Sequence, residues 1–62
     1  MSRASREADR EIANLDTAAR HELVGEAFHT FGEPAARALA RRFRVFFEDC
    51  REAIERLRYR LQ

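Results

Sequence analysis

Four arginines recur at intervals of seven residues in the second half of the chain, at positions 37, 44, 51 and 58. On one helix, residues seven apart lie close to a single line along the surface, so this spacing aligns four guanidinium groups. A guanidinium group can donate two parallel hydrogen bonds to a phosphate or a carboxylate, which favours contact with a nucleic acid or an acidic protein. The row also fits the charged, solvated flank of a helical bundle. With two neighbours, the candidate partner-binding or phosphate-binding residues are Arg37, Arg41, Arg42, Arg44, Arg51 and Arg58.

Two shorter patterns resemble catalytic or metal-binding motifs. We expect neither to have that function. Cys50 is the only cysteine and falls on an apolar line, which is typical of a buried thiol and not of a nucleophile. Glu26 and His29 have the Glu-x-x-His spacing of di-iron bundles, but the second half of the chain offers no inward carboxylates to complete such a site. The sequence also lacks a glycine-rich phosphate loop. We therefore expect no catalytic residue, no cofactor and no metal, and hence no enzyme.

Length and composition predict one small all-α domain over residues 1–62. The chain is 45% hydrophobic and 37% charged, and its two glycines and one proline leave no room for repeated strands and turns. No apolar run approaches membrane-spanning length, and residues 1–10 carry charges of both signs in place of an apolar leader. We expect a cytoplasmic protein that does not enter membranes, with residues 1–4 disordered.

The two backbone breakers that lie together predict the position of the main turn, at residues 31–34. Gly32 suits the end of one helix, and Pro34 suits the first turn of the next. The sequence therefore predicts an antiparallel hairpin of two helices, over about 5–30 and 34–61. Asp16 could cap a new helix, so a break near residue 15 remains an alternative.

After the turn, apolar residues are spaced alternately four and three apart without a miss, from Ala36 to Leu61. This heptad seam predicts one uninterrupted helix over residues 35–62. The seam is too wide for a second helix to cover alone, so we expect homodimerisation into a four-helix bundle. The expected oligomer interface comprises Phe43, Phe46, Phe47, Cys50, Ile54, Leu57 and Leu61.

This architecture favours a small, non-enzymatic, homo-oligomeric interaction or regulatory module that binds a protein or RNA partner. In length and hairpin plan the chain is similar to the small plasmid RNA-binding repressors of the Rop type, an architectural analogy without a shared motif. An adaptor or antitoxin-like helix that binds a larger protein through the same seam is a related alternative.

Residues 38–57 suggest a different function, because they resemble the helix-turn-helix of bacterial transcription regulators and the promoter-reading region of sigma factors. Leu39, Ala40, Phe43 and Val45 match the apolar positions of that pattern. The resemblance covers about a third of the chain and implies a DNA-binding regulator with a recognition helix near residues 47–57.

The resemblance also assigns roles to residues, and the chain departs from the pattern at two of them. Phe47, Glu48, Arg51 and Glu52 would face DNA, while Arg41 and Arg42 would approach phosphates. Arg44 stands where the pattern has glycine, and Phe46 stands where it has a serine or threonine cap. With neither residue present, the sequence favours a helix that continues through this segment.

Overall fold

The computed structural model describes residues 14–60, and these residues contain helices and connecting turns but no strand. Helix α1 spans Thr17–Phe31, α2 spans Glu33–Phe43, and α3 spans Arg51–Arg60 after a 3₁₀ turn at Phe47–Cys50. The predicted all-α fold is confirmed. The expectations for residues 1–4, for a helix beginning near residue 5 and for Leu61 lie outside the described residues.

Asp16 caps the start of helix α1. This residue has extended backbone angles, and its Oδ1 accepts a hydrogen bond of 2.7 Å from the amide of Ala19. A side-chain acceptor at this position satisfies one of the first backbone amides of a helix, which have no partner inside it. The alternative break near residue 15 is thus the one adopted, and the single continuous helix over 5–30 is wrong at this point.

A single residue, Gly32, connects α1 to α2. Its φ of 99° lies in a region that side-chain-bearing residues rarely adopt, and its amide donates to the carbonyl of Phe28 at 2.9 Å. Pro34 follows in the first turn of α2, where a missing backbone amide costs nothing. The glycine and the proline therefore act together to end one helix and begin the next.

The predicted single helix over residues 35–62 is wrong, because the chain leaves the helix at Arg44. This residue adopts the left-handed conformation, with φ 57° and ψ 40°. The amide of Arg44 donates to the carbonyl of Arg41 at 3.1 Å, and the amide of Val45 donates to that of Ala40 at 3.0 Å. This pair of bonds is a Schellman motif, which satisfies the last carbonyls of α2. The chain then runs extended through Phe46 into the 3₁₀ turn.

Burial explains why a residue other than glycine accepts this conformation. A left-handed residue with a Cβ costs about 1–2 kcal/mol, whereas burying one large apolar side chain contributes about 1.5–3 kcal/mol. The turn lets α2 and α3 both face α1. Phe43, Cys50 and Leu57 are then 6%, 0% and 3% exposed. Their summed burial outweighs the strain at one residue.

The predicted seam between two copies is instead the core of one chain. The apolar residues buried among positions 14–60 are Val24, Ala36, Ala40, Phe43, Cys50, Ala53 and Leu57. Phe47 and Ile54, also assigned to the oligomer interface, are half-buried against this core. The three-helix arrangement removes the exposed edge from which a four-helix bundle was inferred.

Helices α1 and α3 approach each other closely at Gly25. A Cβ on Gly25 would lie 2.9 Å from Cδ1 of Leu57 and 3.2 and 3.3 Å from the carbonyl carbon and oxygen of Ala53. The leucine methyl can rotate away, but the backbone of α3 moves only if the two helices separate. Gly25 therefore lowers the helix propensity of α1 and in return permits this crossing.

The Gly25→Val variant is expected to lower the free energy of unfolding by about 1–3 kcal/mol, because the added methyl groups overpack the crossing. Urea denaturation followed by helical circular dichroism measures the change. The matched control is Glu26→Val at the neighbouring exposed position, where we expect a change within about 0.5 kcal/mol. Equal effects at the two positions would contradict the close crossing.

Replacement by glycine should have opposite effects on the free energy of unfolding at two arginines near this turn. Arg44→Gly should raise the free energy of unfolding by about 0.5–1 kcal/mol, because glycine removes the left-handed strain at a smaller cost in backbone entropy. Arg42→Gly, inside α2, should lower it by about 1 kcal/mol. A helix continuous over residues 35–62 would lose stability in both variants, and the same denaturation experiment distinguishes the two outcomes.

Candidate functional site

Helices α2 and α3, joined by residues 44–46, form the part of the molecule where the candidate residues meet. The four apolar residues that carry the helix-turn-helix resemblance all face inward: Ala40 and Phe43 are buried, and Leu39 and Val45 are half-buried against the core. Arg44 adopts the backbone conformation that the pattern normally assigns to glycine. The backbone therefore turns at Arg44 even though neither glycine nor a serine or threonine cap is present.

A partly buried arginine of α1 holds the end of α2 in place. Nη1 of Arg20 donates to the carbonyl of Phe43, and its Nε donates to the carbonyl of Leu15, each at 3.1 Å. A cation is favoured at the carbonyl end of a helix, where the helix dipole is negative. Sequence reasoning missed Arg20, because its contact with Phe43 spans 23 residues and follows no local spacing.

The six candidate arginines are exposed, but they do not form one straight row. Arg37, Arg41 and Arg42 lie on α2, Arg44 lies in the turn, and the last two belong to α3. The change of chain direction at residues 44–46 separates Arg37 and Arg44 from Arg51 and Arg58. The predicted continuous line of guanidinium groups on one helix is wrong, because two of the four arginines precede the end of this turn and two lie on α3.

Phe47 is engaged within the chain. Its ring centroid lies 6.2 Å from that of Phe28 on α1 and 4.6 Å from the guanidinium carbon of Arg37 on α2. Cation–π contact of this kind stabilises by about 0.5–1 kcal/mol where it is exposed. Phe47 therefore ties the 3₁₀ turn to α1 and α2.

Phe46 differs sharply from its neighbour, since 78% of it is exposed. It lies at the wall of an open cleft of about 230 Å³ between α2 and the start of the 3₁₀ turn. We call this the turn cleft, and its lining residues are Arg37, Ala40, Arg41, Val45, Phe46 and Phe47. Of the seven residues predicted for an oligomer interface, Phe46 is the one within the described chain that the fold leaves largely in solvent.

Charge is segregated on either side of the turn. Four exposed arginines occupy α2 and residue 44, and one of them, Arg37, pairs at 3.4 Å with Glu33 in the preceding helical turn. The next eleven residues of the chain include four exposed acids: Glu48, Asp49, Glu52 and Glu55. The exposed cation among these acids is Arg51. Arg56, further along α3, pairs at 3.2 Å with Glu22 of α1 and was not singled out from the sequence.

The residues considered for catalysis or metal binding have structural partners. A ring nitrogen of His29 donates to the carbonyl of Ile54 at 2.7 Å, which ties α1 to α3, while Glu26 is exposed. Sγ of the buried Cys50 donates to the carbonyl of Phe46 at 3.4 Å. Within residues 14–60, no three His, Cys, Asp or Glu side chains come together as a metal-binding group.

No protein-family model, curated protein or solved structure matches this chain. In the described part of the chain, no helix combines the length and apolarity needed to cross a bilayer. The function is therefore inferred from the geometry and charge of the turn and of the exposed faces beside it.

The environment of Cys50 predicts a loss of stability in alkaline solution. Burial and, second, the carboxylate of Asp49 raise the pKa of the Cys50 thiol. A raised pKa means that the folded chain disfavours the thiolate. The resulting stability is complete below the unfolded pKa of about 8.5 and is lost as pH rises through the folded-state pKa.

Urea denaturation at about pH 7 and about pH 10 measures this effect. The native chain should lose stability between the two, and Cys50→Ala, although less stable at both, should lose less. An equal loss in the two proteins would show that Cys50 does not cause the decrease.

Proposed function

We propose that the chain is a helix-turn-helix module that binds duplex DNA through α3 and the cationic end of α2. The observation that supports this most strongly is the left-handed turn at Arg44. It redirects the chain after α2 and leaves the start of α3 exposed at the surface. In DNA-binding proteins of this architecture, the second helix of the motif enters the major groove and the first crosses the backbone.

Three exposed residues in the 3₁₀ turn and at the start of α3 suit the edges of base pairs. Arg51 can donate two hydrogen bonds to guanine, and the carboxylates of Glu48 and Glu52 can accept from the amino group of cytosine. Glu48, in the 3₁₀ turn, precedes Arg51 by three residues and Glu52 by four, a spacing that favours one shared outer face. Phe47 is omitted from this set because it packs against Phe28 and Arg37.

The arginines at the end of α2 suit the phosphate backbone. Arg41, Arg42 and Arg44 are exposed and lie within four residues of one another beside the turn. Phosphate contacts position a protein on the duplex without reading its sequence. The acids of the 3₁₀ turn and of α3 repel phosphates, so binding to arbitrary sequence should be weak. Affinity should depend strongly on bases that donate hydrogen bonds to Glu48 and Glu52.

Fluorescence anisotropy with labelled duplexes tests the proposal, with preferred sites first selected from a random pool. Engagement of three phosphates predicts that log affinity falls with log salt concentration at a slope of about −2.7. The double variant Arg41→Gln, Arg42→Gln should reduce this slope to about −0.9 and weaken binding to every sequence alike. Arg51→Gln should relax selectivity at one base pair by about 1–3 kcal/mol.

The matched control is Arg56→Gln, on α3 but paired with Glu22 of α1. We expect it to leave both the slope and the selectivity unchanged. A native slope no steeper than that of the double variant, or equal losses in the double variant and the control, would contradict binding through this surface.

A second candidate function is protein binding by a non-enzymatic interaction module, as the sequence also suggests. The exposure of Phe46 beside a cleft supports it, because aromatic residues with adjacent arginines are enriched where proteins associate. Replacement of Phe46 by Ser should abolish such an interaction and preserve the salt slope of DNA binding.

A further inference from the structure

The surface around Phe46 combines an exposed aromatic ring with an open cleft. The Phe46 ring projects into solvent, and the turn cleft that could receive an aromatic ring lies directly beside it. We propose that this surface binds a second copy of the chain, related by a two-fold axis, so that each copy inserts Phe46 into the turn cleft of the other.

Two-fold symmetry requires that one patch contain both halves of every contact, and this patch does. Phe46 is at once the projecting ring and one wall of the cleft. In the dimer the two Phe46 rings would lie side by side close to the axis, where an aromatic pair stabilises association beyond the area that it buries. The aliphatic stem of Arg41 and the side chain of Val45 would complete the walls of each cleft.

The charge pattern fits a second copy better than it fits DNA alone. Arg41 and Arg44 lie on one side of Phe46 in the sequence, while Glu48 and Glu52 lie on the other, and all four are exposed. A two-fold operation brings the arginines of each copy towards the acids of the other, so every ionic contact forms twice. DNA phosphates repel these acids, whereas a second copy neutralises them. Charge complementarity of this kind selects a partner and sets its orientation.

Self-association would regulate the function proposed above, and this one consequence rests on that proposal. The dimer covers Arg41, Arg44, Glu48 and Glu52, which belong to the proposed DNA-binding face. Dimerisation and DNA binding would therefore exclude each other. A rise in protein concentration would favour the dimer, which does not bind DNA. Binding of DNA would shift the equilibrium back to the monomer.

Charge reversal provides a test that depends only on self-association. The acid-rich variant carries Arg41→Glu and Arg44→Asp, and the base-rich variant carries Glu48→Arg and Glu52→Arg. Asp is chosen at position 44 because it tolerates the left-handed conformation. Sedimentation velocity at low ionic strength should show a native dimer and two monomeric variants, each with association weakened at least about 100-fold by like charges. A mixture of the two variants should recover the dimer mass, because the hetero-dimer then forms one set of ionic contacts with its native sign and the other set with reversed sign.

Two controls separate the interface from general effects of charge and folding. Arg42→Glu makes the same change beside Arg41, but at a residue that does not line the cleft, and it should remain dimeric. Phe46→Ser should be monomeric with unchanged helical circular dichroism, since the ring is largely in solvent.

Two results would overturn the proposal. A native chain that stays monomeric to millimolar concentration would leave Phe46 and the cleft to a different protein. A mixture of reversed variants that fails to associate would exclude the two-fold pairing of arginines with acids. Neither result bears on DNA binding, which is measured at concentrations below dimerisation. Displacement of the native dimer by a selected duplex would connect the two proposals.

Discussion

The left-handed conformation of Arg44 is the constraint on which the arrangement of the molecule depends. Without it, α2 would continue into α3 and the apolar residues after position 43 would follow a straight rod away from α1. With it, both helices turn their apolar faces to α1, and one core holds Val24, Phe43 and Cys50. The two hydrogen bonds of the Schellman motif and the contact of Arg20 with the carbonyl of Phe43 keep this turn in place. They satisfy carbonyls that a helix end would otherwise leave without partners.

The sequence predicted the helical class, the break at Gly32 and, as an alternative, the cap at Asp16, because each depends on local chemistry. It did not predict the turn at Arg44. Apolar residues keep the four-three spacing across residues 43, 47 and 50, so periodicity alone cannot distinguish a turn from an uninterrupted helix there. Arg44 has no intrinsic preference for the left-handed region. The energy that places it there comes from burial against α1, which is remote in sequence.

The sequence predicted which residue types belong to the candidate site, but it did not predict how they are arranged in space. The arginines were identified by type, and they are exposed as expected of charged residues. Their separation follows from the turn and could not be derived from seven-residue spacing. Phe46 and Phe47 illustrate the same limit. They are adjacent and chemically identical, yet one packs between Phe28 and Arg37 while the other faces solvent. Because the backbone at Phe46 is extended, the two neighbouring side chains point in different directions.

The one-residue connection at Gly32 bears on how the chain can vary. No further residue separates α1 from α2 at this connection. Because a helix has 3.6 residues per turn, each residue rotates the helix by about 100°. A residue inserted at the Gly32 turn would rotate the apolar side of one helix away from the other helix, unless the extra residue bulged outwards. A change of length at this turn is therefore expected to disturb the packing of α1 against α2, even though the turn lies near the surface.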